Sequence, residues 1–216
     1  LGPKIKWVKG KVDKINIQQI FLFFISVLIS YLLITKFGTS YLFAFPLFAL
    51  AIFLFILTIR DFFYKHSSLS QKFSHFGFSL LIVSILFNGI LSKEYSTNMK
   101  VGEERKFFNK IIKFENVKVI EKSNFQSLIG EFNILDKEKN LKFNPEVRIY
   151  NQPKISTSEA DIITTIYSDN FLVFNILKDD GYYNVRYQYK PLMIWIWLSV
   201  VIISIGGVLS YFNKND

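Results

Sequence analysis

The sequence predicts a membrane protein, with four transmembrane α-helices and an extracytoplasmic antiparallel β domain between the third and the fourth. Three observations carry this. Half of the 216 residues are hydrophobic, and they gather into windows near 19–35, 41–59, 74–92 and 192–212. Each window is long enough to cross a hydrocarbon core about 30 Å thick at about 1.5 Å per residue. Between the last two windows lies a polar stretch of about a hundred residues, long enough to fold as its own domain. The expected divisions are a basic segment 1–18, three helices within 19–92, the β domain 93–190, a fourth helix 191–212 and a tail 213–216.

The first span, "IFLFFISVLISYLLIT", leads through "KFGTS", a turn with Gly38, into "YLFAFPLFALAIFLFILTI". Pro46 falls near the start of this second helix, where a missing amide is tolerated. So short a connection makes the two helices antiparallel neighbours. The loop "RDFFYKHSSLSQK" then enters the third span, "FSHFGFSLLIVSILFNGIL", residues 73–91, with His75 in its expected first turn.

From Lys93 to Lys190 the pattern changes. "MKVGEERKFF", "IIKFENVKVIEK", "LIGEFNIL", "PEVRIYNQ", "ADIITTIYS" and "NFLVFNILKDDGYYNVRYQY" are short runs, partly alternating and separated by turn signals. Their period suits strands. The "KDDGYY" stretch reads as a hairpin, because Asp-Gly supplies the positive φ such turns require. A small antiparallel sandwich or barrel is expected. The last span, "PLMIWIWLSVVIISIGGVLSYF", opens with Pro191 at a first-turn position. Trp195 and Trp197 follow, in the region where indoles favour headgroups. Gly206-Gly207 permits close approach of another helix.

The net charge of +9 does not signal nucleic acid. Lys4, Lys6, Lys9, Lys11 and Lys14 crowd the segment before the first span, and Arg60, Lys65 and Lys72 sit between the second and third. The 93–190 stretch is nearly balanced. Basic residues in short loops beside spans follow the positive-inside pattern. The amino-terminal segment and the 60–73 loop are therefore expected inside, with the 36–40 turn and the β domain outside.

The chain has no cysteine, which excludes thiolate nucleophiles and thiolate metal sites within it. The opening "LGPKIKWVKG" does not resemble a signal peptide and is expected to continue a longer protein. The β stretch has no histidine and no phosphate-binding glycine loop, so nothing in it reads as catalytic.

One residue stands out. A polar group inside a span is expensive enough to suggest function. His75 either meets headgroup, water or a loop carbonyl at the membrane boundary, or ligates a metal or heme. Gly77 would relieve crowding beside a bound macrocycle. His66, the other histidine, reads as a solvated loop residue. Arg60, closing the neighbouring helix, is either topogenic charge or the partner of a propionate on a heme held by His75.

These residues together resemble the C-terminal part of the CcmF family, the cytochrome c heme lyase subunit. "GPKIKW" is similar to its Gly-Pro…Trp-Lys stretch, "SHFGFSLLIVS" to its His-(Leu/Phe)-Gly membrane motif, and "VGEE" to the Gly-Asp turn opening its soluble domain. "SNFQSLIGEFNI" resembles its Pro-Asn-Tyr segment, "NPEVRIY" its Pro-Glu-Lys-Arg-x-Tyr and "STSEADI" its Thr-Glu-Ala-x-Ile. "YKPLMIWIWLSVVIISIGG" is similar to the closing Trp-Ile-Trp helix. Ser123, Phe125 and Val147 depart from the pattern. The family's tryptophan-rich segment with its outer histidines is expected upstream of Leu1.

The resemblance implies that His75 is one of two axial ligands of a b-type heme, serving covalent attachment of heme to apocytochrome c. It implies a heme chaperone, other cytochrome c maturation subunits and membrane lipid as partners, in a bacterial or mitochondrial inner membrane. The β domain would face the periplasm or intermembrane space. The non-catalytic alternative is a membrane-anchored scaffold of a cytochrome assembly complex. The related system II lyase component also inserts an outer domain before a final span, but "PEVRIY" and "WIWLS" fit CcmF better.

Overall fold

The computed structural model describes residues 17–37, 39–63, 67–135, 140–177 and 181–212. Among the described residues four helices, α1 (Ile17–Phe37), α2 (Phe45–Phe63), α3 (Leu69–Leu91) and α4 (Met193–Phe212), are long and apolar enough to cross a membrane. Among the described residues, ten strands lie between α3 and α4 in chain order, so the β domain occupies the expected place. The chain divides into two units. One holds the helices up to Leu86 and from Trp195, the other runs Phe87–Ile194.

In the helical unit, contacts follow small and aromatic side chains. Phe23 of α1 packs edge-on against Phe53 of α2 with centroids 5.5 Å apart. Ser26 and Ser30 are fully buried, and each returns its hydroxyl to its own helix, Ser26 to the Phe23 carbonyl and Ser30 to that of Ser26. A hydroxyl in lipid must find such a partner. A 3-10 turn, Thr39–Ala44, precedes α2, and Pro46 sits in the first turn of α2, where no intrahelical bond is lost.

Two boundaries differ from the sequence reading. α3 starts at Leu69 rather than 73, because Ser68 caps it: its hydroxyl accepts from the Gln71 amide at 3.3 Å, and its carbonyl from the Lys72 amide at 3.0 Å. The Ser-x-x-Gln spacing is a helix-start signature. His75 is therefore in the second turn. At the other end, Pro191 does not open α4. It closes the last strand opposite Ser168, and Leu192 then takes φ 59°, with its amide bonded to the Tyr167 carbonyl at 2.9 Å. The left-handed residue turns the chain from strand into helix.

The second unit is an antiparallel sandwich. Its strands are β1 (Lys93–Met99), β2 (Glu104–Phe107), β3 (Lys110–Glu121), β4 (Phe125–Leu135), β5 (Asn140–Phe143), β6 (Glu146–Tyr150), β7 (Ser156–Glu159), β8 (Asp161–Thr164), β9 (Ser168–Ile176) and β10 (Tyr183–Pro191). One sheet has the order β1-β10-β9-β8, the other β2-β3-β4-β6-β7, with β5 also pairing β4. Alternate residues turn inward. Ile112, Phe114, Phe132, Ile134, Phe143, Leu172, Phe174 and Val185 are buried to 2 % exposure or less. Phe114 and Phe132 stack with centroids 4.2 Å apart, and Phe174 meets Phe132 edge-on at 5.9 Å.

The expected turns hold where they are described. Gly102 has φ 88°, and Glu103 returns its carboxylate to the Lys100 amide at 3.3 Å. Gly181 has φ 71°, whereas Asp179 and Asp180 of the same hairpin lie outside the described residues.

Candidate functional site

α3 has three faces at about 100° per residue. The first meets α2: Phe73 and Phe76 flank Phe62 at 5.8 and 5.4 Å, Phe76 stacks on Phe55 at 5.8 Å, and Ser79 shares a 2.7 Å hydroxyl pair with Thr58. Lys72 extends along the same side to the Phe62 carbonyl at 3.2 Å. The second meets α4. Ser70 donates to the Gly206 carbonyl at 2.8 Å, and Gly77 is pressed against Ile203.

A Cβ on Gly77 would stand 2.8 Å from Ile203 Cγ1 and 2.9 Å from its backbone nitrogen. Gly77 therefore makes room for α4, not for a macrocycle, as its position beside His75 had suggested. The sequence shows the small residue but not which neighbour it admits.

His75 belongs to the third face, with Phe78, Ile82 and Ile85 at successive three- and four-residue steps. It is exposed, as are Phe78 at 53 % and Ile85 at 50 %. Among the described residues no hydrogen bond or ion pair reaches the imidazole. The site is thus a histidine on an apolar helix face that neither α2 nor α4 covers. Neutral imidazole on such a face can ligate a metal through one nitrogen while hydrocarbon shields it from water.

Arg60 sits elsewhere. It lies two residues from both Thr58 and Phe62, the α3-facing positions, and so on the opposite side of α2. Its side chain lines a groove of about 510 Å³ with Ile17, Gln18, Phe21 and Leu22 of α1, and it pairs with Asp61 at 3.7 Å. The structure does not bring Arg60 onto the His75 face. His66 lies outside the described residues.

No group of three or more His, Asp or Glu side chains arranged for a metal occurs among the described residues. The strongest polar cluster in the sandwich is on β4 and β6. Glu146 accepts from Arg148 at 2.8 Å and from the buried Ser127 hydroxyl. The Arg148 hydrogen bond, with Ser127 adding to it against the penalty of burial, holds the Glu146 carboxyl below its ordinary range. Arg148 is pushed upward by the same carboxylate and by Tyr150, and it lies over the Phe125 ring at 5.3 Å. Glu146 and Arg148 answer each other's charge, although Arg148 Nε is buried without a hydrogen-bond partner, and the cluster fastens β4 to β6.

Comparison with known proteins covers both units. Residues 90–191 match the family described as CcmF C-terminal beta-sandwich. Over the whole chain, the sequence is 26 % identical to the cytochrome c-type biogenesis protein CcmF of Escherichia coli, spanning 35 % of that protein. It is 25 % identical to CcmF of Haemophilus influenzae over 70 % of the chain and 24 % of the relative. With CycK of Bradyrhizobium diazoefficiens the identity is 26 % over 69 % of the chain and 23 % of the relative. The chain thus spans about a third or less of the length of these relatives. A solved structure, "Cytochrome c Heme Lyase CcmF", shares the fold with a TM-score of 0.73 at 13 % identity, covering 94 % of this chain and 35 % of that one.

Proposed function

We propose that the chain, whose residues 90–191 match the CcmF C-terminal beta-sandwich, is a member of the CcmF family and acts in c-type cytochrome maturation as the C-terminal portion of a membrane heme lyase. In this reading it helps hold a b-type heme used in covalent attachment of heme to apocytochrome c. The observation that carries the proposal is His75, an imidazole without a partner in the described chain on an otherwise apolar, uncovered helix face. A polar residue so placed is expensive unless something else satisfies it. His75 would hold the heme iron through its imidazole. The heme would supply one-electron chemistry when bound. The chain's own part is to present the imidazole at a fixed depth and to keep water from that face with Phe78 and Ile82.

Arg60 would be the residue that pairs with a propionate of that heme. The expected setting is an inner membrane, with the sandwich on the periplasmic or intermembrane side. Apocytochrome c, a heme chaperone and other maturation subunits would be the partners. The sandwich would serve as a docking platform.

The test is a reduced-minus-oxidised visible spectrum with a pyridine hemochrome assay on the full-length protein, wild type beside His75→Ala. Loss of stoichiometric low-spin b-type heme, with protein still in the membrane, supports ligation. Unchanged heme in the variant returns His75 to a boundary residue and favours the scaffold reading.

A further inference from the structure

β2 and β3 are joined by two residues only, Phe108 and Asn109, since Phe107 pairs with Lys110. The first residue of such a loop is favoured as glycine when its φ is positive. Here it is Phe108, at φ 48° and 61 % exposed. A bulky residue held in the left-handed region is an outlier, and such strain gathers at functional positions. Its ring touches Phe107 edge-on at 4.6 Å, and the Lys93 ammonium stands 4.5 Å over it.

A second turn, between β8 and β9, carries Ile166 at 56 % exposure and Tyr167 at 74 %. This turn is well fixed. Thr165 and Ser168 bond each other through backbone and side chain at 2.8 to 3.0 Å, and the Tyr167 carbonyl receives the Leu192 amide.

Both turns lie at the end of the sandwich where the chain enters and leaves. Lys93 is the first residue of β1, directly after α3, and Pro191 closes β10 just before α4. Asn88, in the last turn of α3, donates to the Pro191 carbonyl at 2.6 Å and fastens the two connections together. Lysines accompany the rings: besides Lys93, Lys190 lies over Phe171 at 5.2 Å. The opposite end has no such connection to a spanning helix.

We propose that this rim, Phe108, Ile166 and Tyr167 with Lys93 and Lys190, is a lipid-contacting surface that seats in the headgroup layer of a phospholipid bilayer. Aromatic rings with a wet end and an apolar body favour that layer. Lysines beside them offer ammonium groups that lipid phosphate attracts. The occupant is lipid because Lys93 follows the end of α3 by two residues and Pro191 precedes the start of α4 by two, and both helices are long enough to span. The inference does not depend on the heme reading.

The absence of cysteine makes the test specific, since one introduced thiol can be spin-labelled alone. Phe108→Cys and Tyr167→Cys are labelled in the full chain, reconstituted into phosphatidylcholine–phosphatidylglycerol vesicles. Val119→Cys on β3 and Ile155→Cys between β6 and β7 serve as controls at the far end, where both residues are exposed. Relaxation by oxygen relative to a water-soluble nickel chelate is expected to be several-fold greater at 108 and 167 than at 119 and 155. Equal ratios at all four positions overturn the proposal. Shielding of 108 and 167 from both reagents overturns it too, by showing that protein covers the rim. Tyr167→Cys keeps the test decisive if the strained hairpin rejects a substitution at 108.

Discussion

Ser70 and Gly206 join α3 to α4 through one hydrogen bond, Ser70 Oγ to the Gly206 carbonyl at 2.8 Å, and the contact exists because Gly206 lacks a side chain. A Cβ there would stand 2.7 Å from the Ser74 amide nitrogen and 3.0 Å from the Ser70 carbonyl oxygen. Without a hydrophobic drive between helices in lipid, close packing and such bonds hold them together. Gly206→Leu is expected to destabilise the helical unit by about 1–3 kcal/mol, the range for overpacking. Gly207 has nothing within 4 Å of its Cβ position, so Gly207→Leu is the matched control. Thermal unfolding in detergent reads the difference, and equal effects would detach the glycine from helix packing.

A second prediction concerns the sandwich core. Tyr187 is 1 % exposed, donates to Asn170 Oδ1 at 2.6 Å and accepts from Lys110 Nζ at 3.1 Å. Tyr187→Phe preserves the ring but leaves the buried Asn170 oxygen without this donor. The expected loss is about 1–3 kcal/mol, the penalty for an unsatisfied buried group. A denaturant midpoint unchanged from wild type would mean that water replaces the hydroxyl.

A third prediction follows from Glu146. Its folded pKa is lowered, chiefly by Arg148, so its contribution is fully present above the unfolded value and is lost as pH falls through the folded one. Wild-type protein should therefore lose more stability between neutral and strongly acidic pH than Glu146→Gln does. Denaturant midpoints at the two pH values check this, and parallel losses would remove the carboxylate from the acid response.

The fourth prediction separates Arg60 from His75. Arg60 faces the α1 groove, so Arg60→Ala is expected to leave heme content near wild type. If a heme propionate reaches Arg60 as proposed, removing the positive charge disfavours the reduced, less positive iron, so the midpoint potential should fall. An unchanged potential would place the guanidinium out of reach of any propionate.

Much of this architecture could be read from residue types alone. The four spans declare themselves by length, and His75 by being the one imidazole in such a run. What failed depended on partners. β1, "KEYSTNM", escaped notice because it is an edge strand with only Met99 fully buried, so its sequence is polar where an inner strand would alternate. β7, "STSE", hid for the same reason. The early start of α3 was encoded in Ser68 and Gln71, a signal masked by the loop's polarity. The faces of Gly77 and Arg60 are set by helix phase and by which neighbour packs there, and neither is a property of one segment. The aromatic at φ 48° in the Phe108 turn contradicts local preference, and no pattern rule would find it.

The pairing of β1 with β10 joins the two ends of an insertion side by side, Lys93 opposite Tyr189. The first strand to be synthesised therefore finds its neighbour only when the last one is complete, nearly a hundred residues later. Closing so long a loop carries an entropic penalty and slows assembly. Since α4 follows β10 directly, closure of the sheet and delivery of the final helix become consecutive events in biogenesis. A chain stalled or cut within β9 would leave β1 as an open edge, exposed to pairing with a stranger. Truncations upstream of Tyr183 are thus a hazard to the cell beyond the activity they remove.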